Sequence, residues 1–191
     1  MSTSVNELEQ LICQEWHGQL LQQTGNPAVL NRVTLDFLER VGLPEKATDG
    51  AMFNMAFLPA DQFQSVVDAV DRGTVIGTVD HEHPLVVRES DGFVFIAEKS
   101  PWFFLNSSLT ALLGCVAMYH REFILNPEDA GEPDGGDDAD GIGTPVTRAR
   151  AQRLRERLEH LDADALNPAL GDADGVTYWG FIVEEIEAGI I

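Results

Sequence analysis

An α+β fold is what this chain predicts: an antiparallel sheet of about five strands with N-terminal helices, a long central core helix and two C-terminal helices. Three changes of apolar period carry the prediction. Spacings of three and four run as far as Val41, alternation of period two takes over from Ala51, and helical spacing returns at Leu109. Helices, then consecutive strands joined by short turns, then helices again is α+β order; a doubly wound parallel sheet alternates strand and helix.

In the first segment Val5, Leu8, Leu11, Ile12, Trp16 and Leu20 make one amphipathic stripe, closed by T-G-N-P at residues 24–27. Asn26 is placed as the N-cap of a second helix with Pro27 in its first turn, where a missing N–H costs nothing. Leu30, Val33, Phe37, Leu38 and Val41 form the stripe of that helix, and Gly42 and Pro44 stop it.

Phe53, Met55 and Phe57 then alternate with Met52, Asn54 and Ala56, the pattern of a strand with one packed face. Phe63, Val66, Val67 and Val70 return briefly to helical spacing and predict a short helix. Residues 74–79, 85–88 and 93–97 are β-branched and aromatic runs. The last two meet across Ser90, Asp91 and Gly92, where an Asp-Gly pair predicts a tight hairpin with both central residues at positive φ.

The stretch from Trp102 to Phe123 organises the rest. Trp102, Phe103, Phe104 and Leu105 read as the end of a buried strand, and Asn106, Ser107 and Ser108 offer side-chain oxygens to the free N–H groups of a helix first turn. Leu109, Leu112, Leu113, Val116, Ala117, His120, Phe123 and Ile124 form one helical stripe. Cys115, Met118 and Tyr119 widen it, so the helix is expected to be covered on most sides. Thr144 and Pro145 start a helix with the stripe Ala151, Leu154, Leu158 and Leu161. Thr177 leads into a last helix whose Tyr178, Trp179, Ile182, Val183 and Ile186 dock on the core.

With 191 residues the expectation is one domain over residues 1–191, burying about 70% of the surface its unfolded chain exposes. Residues 127–143 are expected to be a mobile acidic loop, since the seven acidic residues between Glu128 and Asp140 have almost nothing to bury beside them. They lack the ligand spacing and closing Glu of an EF-hand. The formal net charge of −20, from 32 acidic and 12 basic side chains, argues against a phosphate-backbone partner; it suits a basic protein, or equally solubility in an acidic or high-salt-adapted proteome. Arg148, Arg150, Arg153, Arg155 and Arg157 read as a solvated face balancing the acidic segment. No window approaches the roughly 20 apolar residues that span a bilayer, and no leader pattern opens the chain, so a cytoplasmic location is expected. Cys13 and Cys115 fall in helical apolar patterns without zinc or disulfide spacing and are expected to be buried reduced thiols.

Catalytic chemistry finds little support. His81, Glu82 and His83 are the only cluster with metal-ligand chemistry, and with no third ligand in register they read as a polar loop before Pro84. Ser107 and Ser108 lack the Gly-x-Ser-x-Gly elbow of a nucleophile and are assigned to capping. Glu184, Glu185 and Glu187 are adjacent solvated carboxylates, unlike a general acid held in an apolar site. There is no phosphate loop. No catalytic residue, metal or cofactor is expected.

V-G-L-P at Val41 to Pro44, T-V-I-G-T-V-D at Thr74 to Asp80, the hairpin around Asp91 and Gly92, F-L-N-S-S-L at Phe104 to Leu109 and the closing Y-W-G-F-I-V-E-E-I-E-A-G-I stand in one order. That set resembles the fourth immunity subgroup of the SUKH superfamily, α+β proteins encoded beside bacterial polymorphic or contact-dependent toxins. Two departures stand out. His81-Glu82-His83-Pro84 and Val86-Val87-Arg88 replace a Gly-rich turn and an acidic residue in the next strand, and the acidic segment looks like an insertion in a variable connection.

The resemblance implies a non-enzymatic immunity protein that binds a secreted toxin domain, such as a nuclease or deaminase with a basic substrate cleft, and blocks it by stoichiometric occlusion. The family supplies no catalytic residues. Contacts are expected first at Asp80, His81, Glu82 and Asp91, at strand ends, and at Glu128, Asp129, Asp134, Asp137 and Asp138, because loops on a rigid scaffold carry recognition. The wider superfamily also implies an alternative, a regulatory or scaffold module for a cellular protein.

Overall fold

The computed structural model describes residues 5–23, 30–48, 54–68, 71–97, 101–124 and 144–190. Helix α1 (Val5–Glu15) leads into β1 (Leu20–Leu21), and α2 (Arg32–Arg40) into β2 (Leu43–Pro44), which pairs antiparallel with β1. Leu20 is therefore a strand residue and does not extend the first helical stripe. The N-cap of α2 is Asn31, whose side chain accepts from Thr34 N–H; Asn26 lies outside the described residues. Phe37 and Leu38 face the core, whereas Val33 is 72% exposed, off the stripe assigned to it. Gly42 ends the helix at φ +92, and a Cβ there would stand 2.4 Å from the carbonyl oxygen of Leu21. The Gly of V-G-L-P thus permits both the left-handed turn and the close approach of β1.

Seven strands form the main sheet: β3 (Lys46–Thr48), β4 (Asn54–Phe57), β5 (Gln64–Val67), β6 (Arg72–Val79), β7 (His83–Arg88), β8 (Val94–Ile96) and β9 (Phe103–Asn106). All pairings are antiparallel, in the order β3-β4-β6-β7-β8-β9. The sheet exceeds the expected number by β3, which pairs with β4, and by β5, which shares one edge of β6 with β4. Strand β4 takes Gly77 to Val79 and β5 takes Arg72 to Val75.

Strand β5 replaces the short helix expected from Phe63, Val66, Val67 and Val70; a single 3₁₀ turn, Ala60–Gln62, precedes it. Val67 is 62% exposed, so no apolar face fixed the period there, and pairing with the open half of β6 decided the conformation. Between Val75 and Gly77 the β6–β7 register slips, leaving Ile76 as a bulge with its side chain fully buried. A Cβ on Gly77 would meet the Ala56 carbonyl at 2.3 Å, which accounts for the glycine of I-G-T.

Helix α3 (Leu109–Tyr119) is buried at every one of its 11 residues, as its all-round apolar sequence predicts. Ser108 caps it through Ala111 N–H, and a π-helical turn, His120–Ile124, continues it. Helix α1 crosses α3 so closely that a Cβ on Gly114 would stand 2.4 Å from Leu8 Cδ2. Cys13 faces out of α1 and is exposed, contrary to expectation, while Cys115 is buried. Burial in apolar surroundings, with Asp162 nearby, holds the Cys115 thiol well above its usual pKa.

Thr144 caps α4 (Pro145–Leu161), as predicted, and Thr177, expected to lead into the last helix, caps α5 (Tyr178–Glu187). Arg150 and Arg157 of α4 are tied to the preceding π turn. Arg150 donates to the Phe123 carbonyl and Arg157 pairs with Glu122, so they clamp the π turn. One contiguous apolar cluster runs from Leu8 to Ile186 between the sheet and the helices. The segment expected to be a mobile acidic loop, residues 127–143, lies outside the described residues.

Candidate functional site

The expected contact residues fall at the two ends of β7, and these ends are built differently. At its start, Asp80 and His81 both lie in the left-handed region, at φ 52 and φ 65, and Glu82 N–H donates to the Val79 carbonyl at 3.2 Å. Two successive positive φ values match the twist of a two-stranded ribbon. An Asp-Gly turn of that kind was expected at Asp91-Gly92; it occurs here, without glycine. Asp80, His81 and Glu82 are all exposed, and His81 Nε2 lies 3.0 Å from Asn54 Nδ2. His83 is the first residue of β7 and Pro84 pairs with Thr78, so the two histidines do not share a strand face. Among the described residues no group of three or more His, Cys, Asp or Glu side chains converges to hold a metal ion.

At the other end, Glu89, Ser90, Asp91 and Gly92 form a four-residue loop, closed by Gly92 N–H to the Arg88 carbonyl and Arg88 N–H to the Phe93 carbonyl. Only Gly92, at φ +84, is left-handed. The Asp91 carboxylate accepts from Arg88 Nε and Nη2, the latter at 2.6 Å, and from Phe93 N–H at 3.0 Å. Arg88 also reaches Asp71 at 3.1 Å, and its guanidinium lies over the rings of Phe93 and Phe95. Partial burial works to raise the Asp91 pKa, but the Arg88 and Phe93 hydrogen bonds outweigh it and hold the carboxyl below its usual value. The charge of Asp91 is thus engaged inside the molecule. The six residues of β7 separate the two turns by about 20 Å, so Asp91 does not join Asp80, His81 and Glu82 in one patch. Glu128, Asp129, Asp134, Asp137 and Asp138 lie outside the described residues.

The strand register places other side chains near the first turn. Leu85, Ile96 and Phe103 form one row across β7, β8 and β9, so Phe103 sits at the same end of the sheet as Asp80 and Glu82. Its ring packs edge-on against Tyr178, 6.4 Å between centroids. One turn further along α5, Phe181 is 48% exposed. Sequence reasoning assigned the aromatic side of α5 to the core. Trp179 is there and Tyr178 is half-buried, while Phe181, which was not part of the predicted stripe, is exposed, in keeping with its phase relative to Trp179, Ile182 and Ile186.

The most buried polar cluster lies at the opposite end of β9. Asn106, fully buried, donates through Nδ2 to Asp162 Oδ2 at 2.8 Å and accepts from Trp179 Nε1 at 3.0 Å. The same Asp162 oxygen accepts from Ser107 N–H at 2.9 Å. Neither Asn106 nor Ser107 caps α3, as had been expected. They tie the strand end to the C-terminus of α4 and the start of α5. With its donors and acceptors turned on one another inside the core, this cluster positions elements and presents no reactive group.

Four of the stretches that carried the family resemblance are therefore explained by backbone approach and by this buried lock. Residues 5–185 match the family model described as SUKH-4 immunity protein. The chain belongs to the SUKH-4 immunity protein family. No curated protein and no solved structure matches it. For a SUKH-4 chain the resemblance is thus written in Gly42, Gly77, Asn106 and Trp179, which shape the fold. The exposed residues of the β6–β7 turn and of α5 lie outside that buried frame. Among the described residues no helix is long and apolar enough to cross a membrane.

Proposed function

We propose that this protein binds the toxin domain of a secreted bacterial toxin in the cytoplasm and neutralises it by stoichiometric occlusion. The observation that carries the reading is the match to an immunity protein family over residues 5–185. The charge of −20 supports a partner with a basic surface, such as the nucleic-acid cleft of a nuclease or deaminase toxin, and speeds the encounter. Contacts begin at the exposed β6–β7 turn, with Asp80, His81 and Glu82. Asp91 keeps the opposite turn in shape, and the acidic run that includes Glu128, Asp129, Asp134, Asp137 and Asp138 adds to the field. No bond is made or broken on the protein; the partner's substrate is shut out.

The test is co-expression with the toxin domain encoded beside the gene. The expected result is restored growth and a 1:1 complex on gel filtration at low salt. Unchanged toxicity with no complex overturns the reading and leaves the scaffold alternative, which capture of a cellular protein by the immobilised chain then tests.

A further inference from the structure

We propose that the aromatic ridge formed by Phe103, Tyr178 and Phe181, with the α5 carboxylates Glu184 and Glu185 beside it, is the anchor that seats the toxin's arginine- or lysine-bearing cleft. This inference rests on the immunity reading and names the surface that performs it.

Phe103 and Tyr178 are in edge-on contact and half-buried against the core, which fixes their rings in place; Phe181 continues the ridge into solvent at 48% exposure. A rigid aromatic that costs little entropy to immobilise is the usual centre of binding energy in protein interfaces. Among the described residues the other large apolar side chains left exposed, Val33, Val67, Leu21 and Ile190, are aliphatic and offer no such ring face.

Charge selects the occupant. Glu184 and Glu185 follow Phe181 by three and four residues on α5, so they border the ridge on one side. The β6–β7 turn with Asp80 and Glu82 lies at the same end of the sheet, beyond the Leu85–Ile96–Phe103 row, so its carboxylates add to the negative field at that end without touching the ridge. A guanidinium or ammonium group laid on an aromatic face and met by carboxylates at its rim gains from both interactions. A negatively charged or purely aliphatic partner gains from neither.

The probe is the toxin domain encoded beside the gene, titrated against the full chain by calorimetry and followed by surface plasmon resonance at two salt concentrations. Phe181→Ala is expected to weaken binding by about thirty-fold, mostly through faster dissociation, and Phe181→Trp to stay within about three-fold of the wild type. The double variant Glu184→Gln/Glu185→Gln is expected to slow association and flatten its salt dependence. Val67→Ala, on the remote strand β5, is expected to bind as the wild type does. Because Phe181 is exposed, its variants keep the wild-type melting temperature, which circular dichroism checks. If the wild type binds and Phe181→Ala binds within about three-fold of it, the ridge is not the anchor and the immunity reading stands. If the wild type does not bind, both fall.

Discussion

The two turns that flank β7 have similar composition, Asp-His-Glu at one end and Glu-Ser-Asp-Gly at the other, yet they invest their side chains in opposite ways. At the second turn Arg88, Asp91 and Asp71 are bonded to one another, and Gly92 is pressed so close to α2 that a Cβ would stand 2.1 Å from Asn31 Nδ2. At the first, two residues with side chains hold left-handed conformations, and Asp80, His81 and Glu82 are all exposed, with His81 also touching Asn54. Backbone strain kept where only His81 reaches another side chain, at Asn54, is the arrangement expected of a recognition turn, whereas a carboxylate held by a partly buried arginine and a backbone N–H marks a strut. Composition does not distinguish the two; the destination of each charge does.

The comparison breaks most readily at Gly92. Gly92→Ala forces a side chain into the left-handed region, at about 1–2 kcal/mol, and displaces the Asn31 cap of α2, at about 1 kcal/mol more. Urea unfolding is expected to show a loss of about 2–3 kcal/mol, reported by the midpoint at unchanged slope. A loss under about 0.5 kcal/mol means that the turn does not brace α2. Arg88→Met comes next. Its side chain is only 20% exposed, and its removal leaves Asp71 and Asp91 without a shared cation and uncovers Phe95. About 1–3 kcal/mol is expected to be lost. Arg88→Lys recovers little, since one ammonium cannot reproduce the forked contact with Asp91.

Acid titration sharpens the same contrast with a smaller effect. The folded-state pKa of Asp91 is depressed, so its contribution is present above the unfolded carboxylate value of about 4 and is lost as pH falls through the folded value. Asp91→Asn is therefore expected to be less stable than the wild type at pH 7, with the gap closing below about pH 4. With the side chain 34% exposed, solvent screening keeps the gap under about 1 kcal/mol. A gap independent of pH would assign the turn's stability to its backbone bonds alone.

Much of this architecture is readable locally. Caps at Ser108, Thr144 and Thr177 announce helices because a side-chain oxygen meets an N–H three residues on, and α3 reads as interior because its run is apolar on every side. What escapes a linear reading is set by distant partners. Asn106 looks like a cap until Asp162, 56 positions later, and Trp179, 73 positions later, claim its amide. Strand β5 looks helical until β6 offers an unpaired edge. In the candidate site Asp80, His81 and Glu82 were visible as exposed loop polar residues. That Asp91 is spent on Arg88, and that Phe103 lies across the sheet from the turn, depend on tertiary register.

The smallest effect is also the one that tests what the first turn is for. His81 sits at φ 65, where a side chain costs about 1–2 kcal/mol relative to glycine, while glycine gives back about 0.4–1 kcal/mol through the freer unfolded chain. His81→Gly is therefore expected to stabilise the fold by about 0.5 kcal/mol, read as a small rise in urea midpoint, even though it removes the Asn54 contact. If the turn meets the toxin, the same variant loses affinity by several-fold, because an imidazole leaves the interface and a pre-set loop becomes a freer one that must be ordered on binding. Stability and binding then move in opposite directions at this end of β7. At the Gly92 end they fall together, since there binding depends only on the frame staying folded. A His81→Gly chain that gains stability and keeps full affinity would mean that the strain at Asp80 and His81 serves only to reverse the chain between β6 and β7.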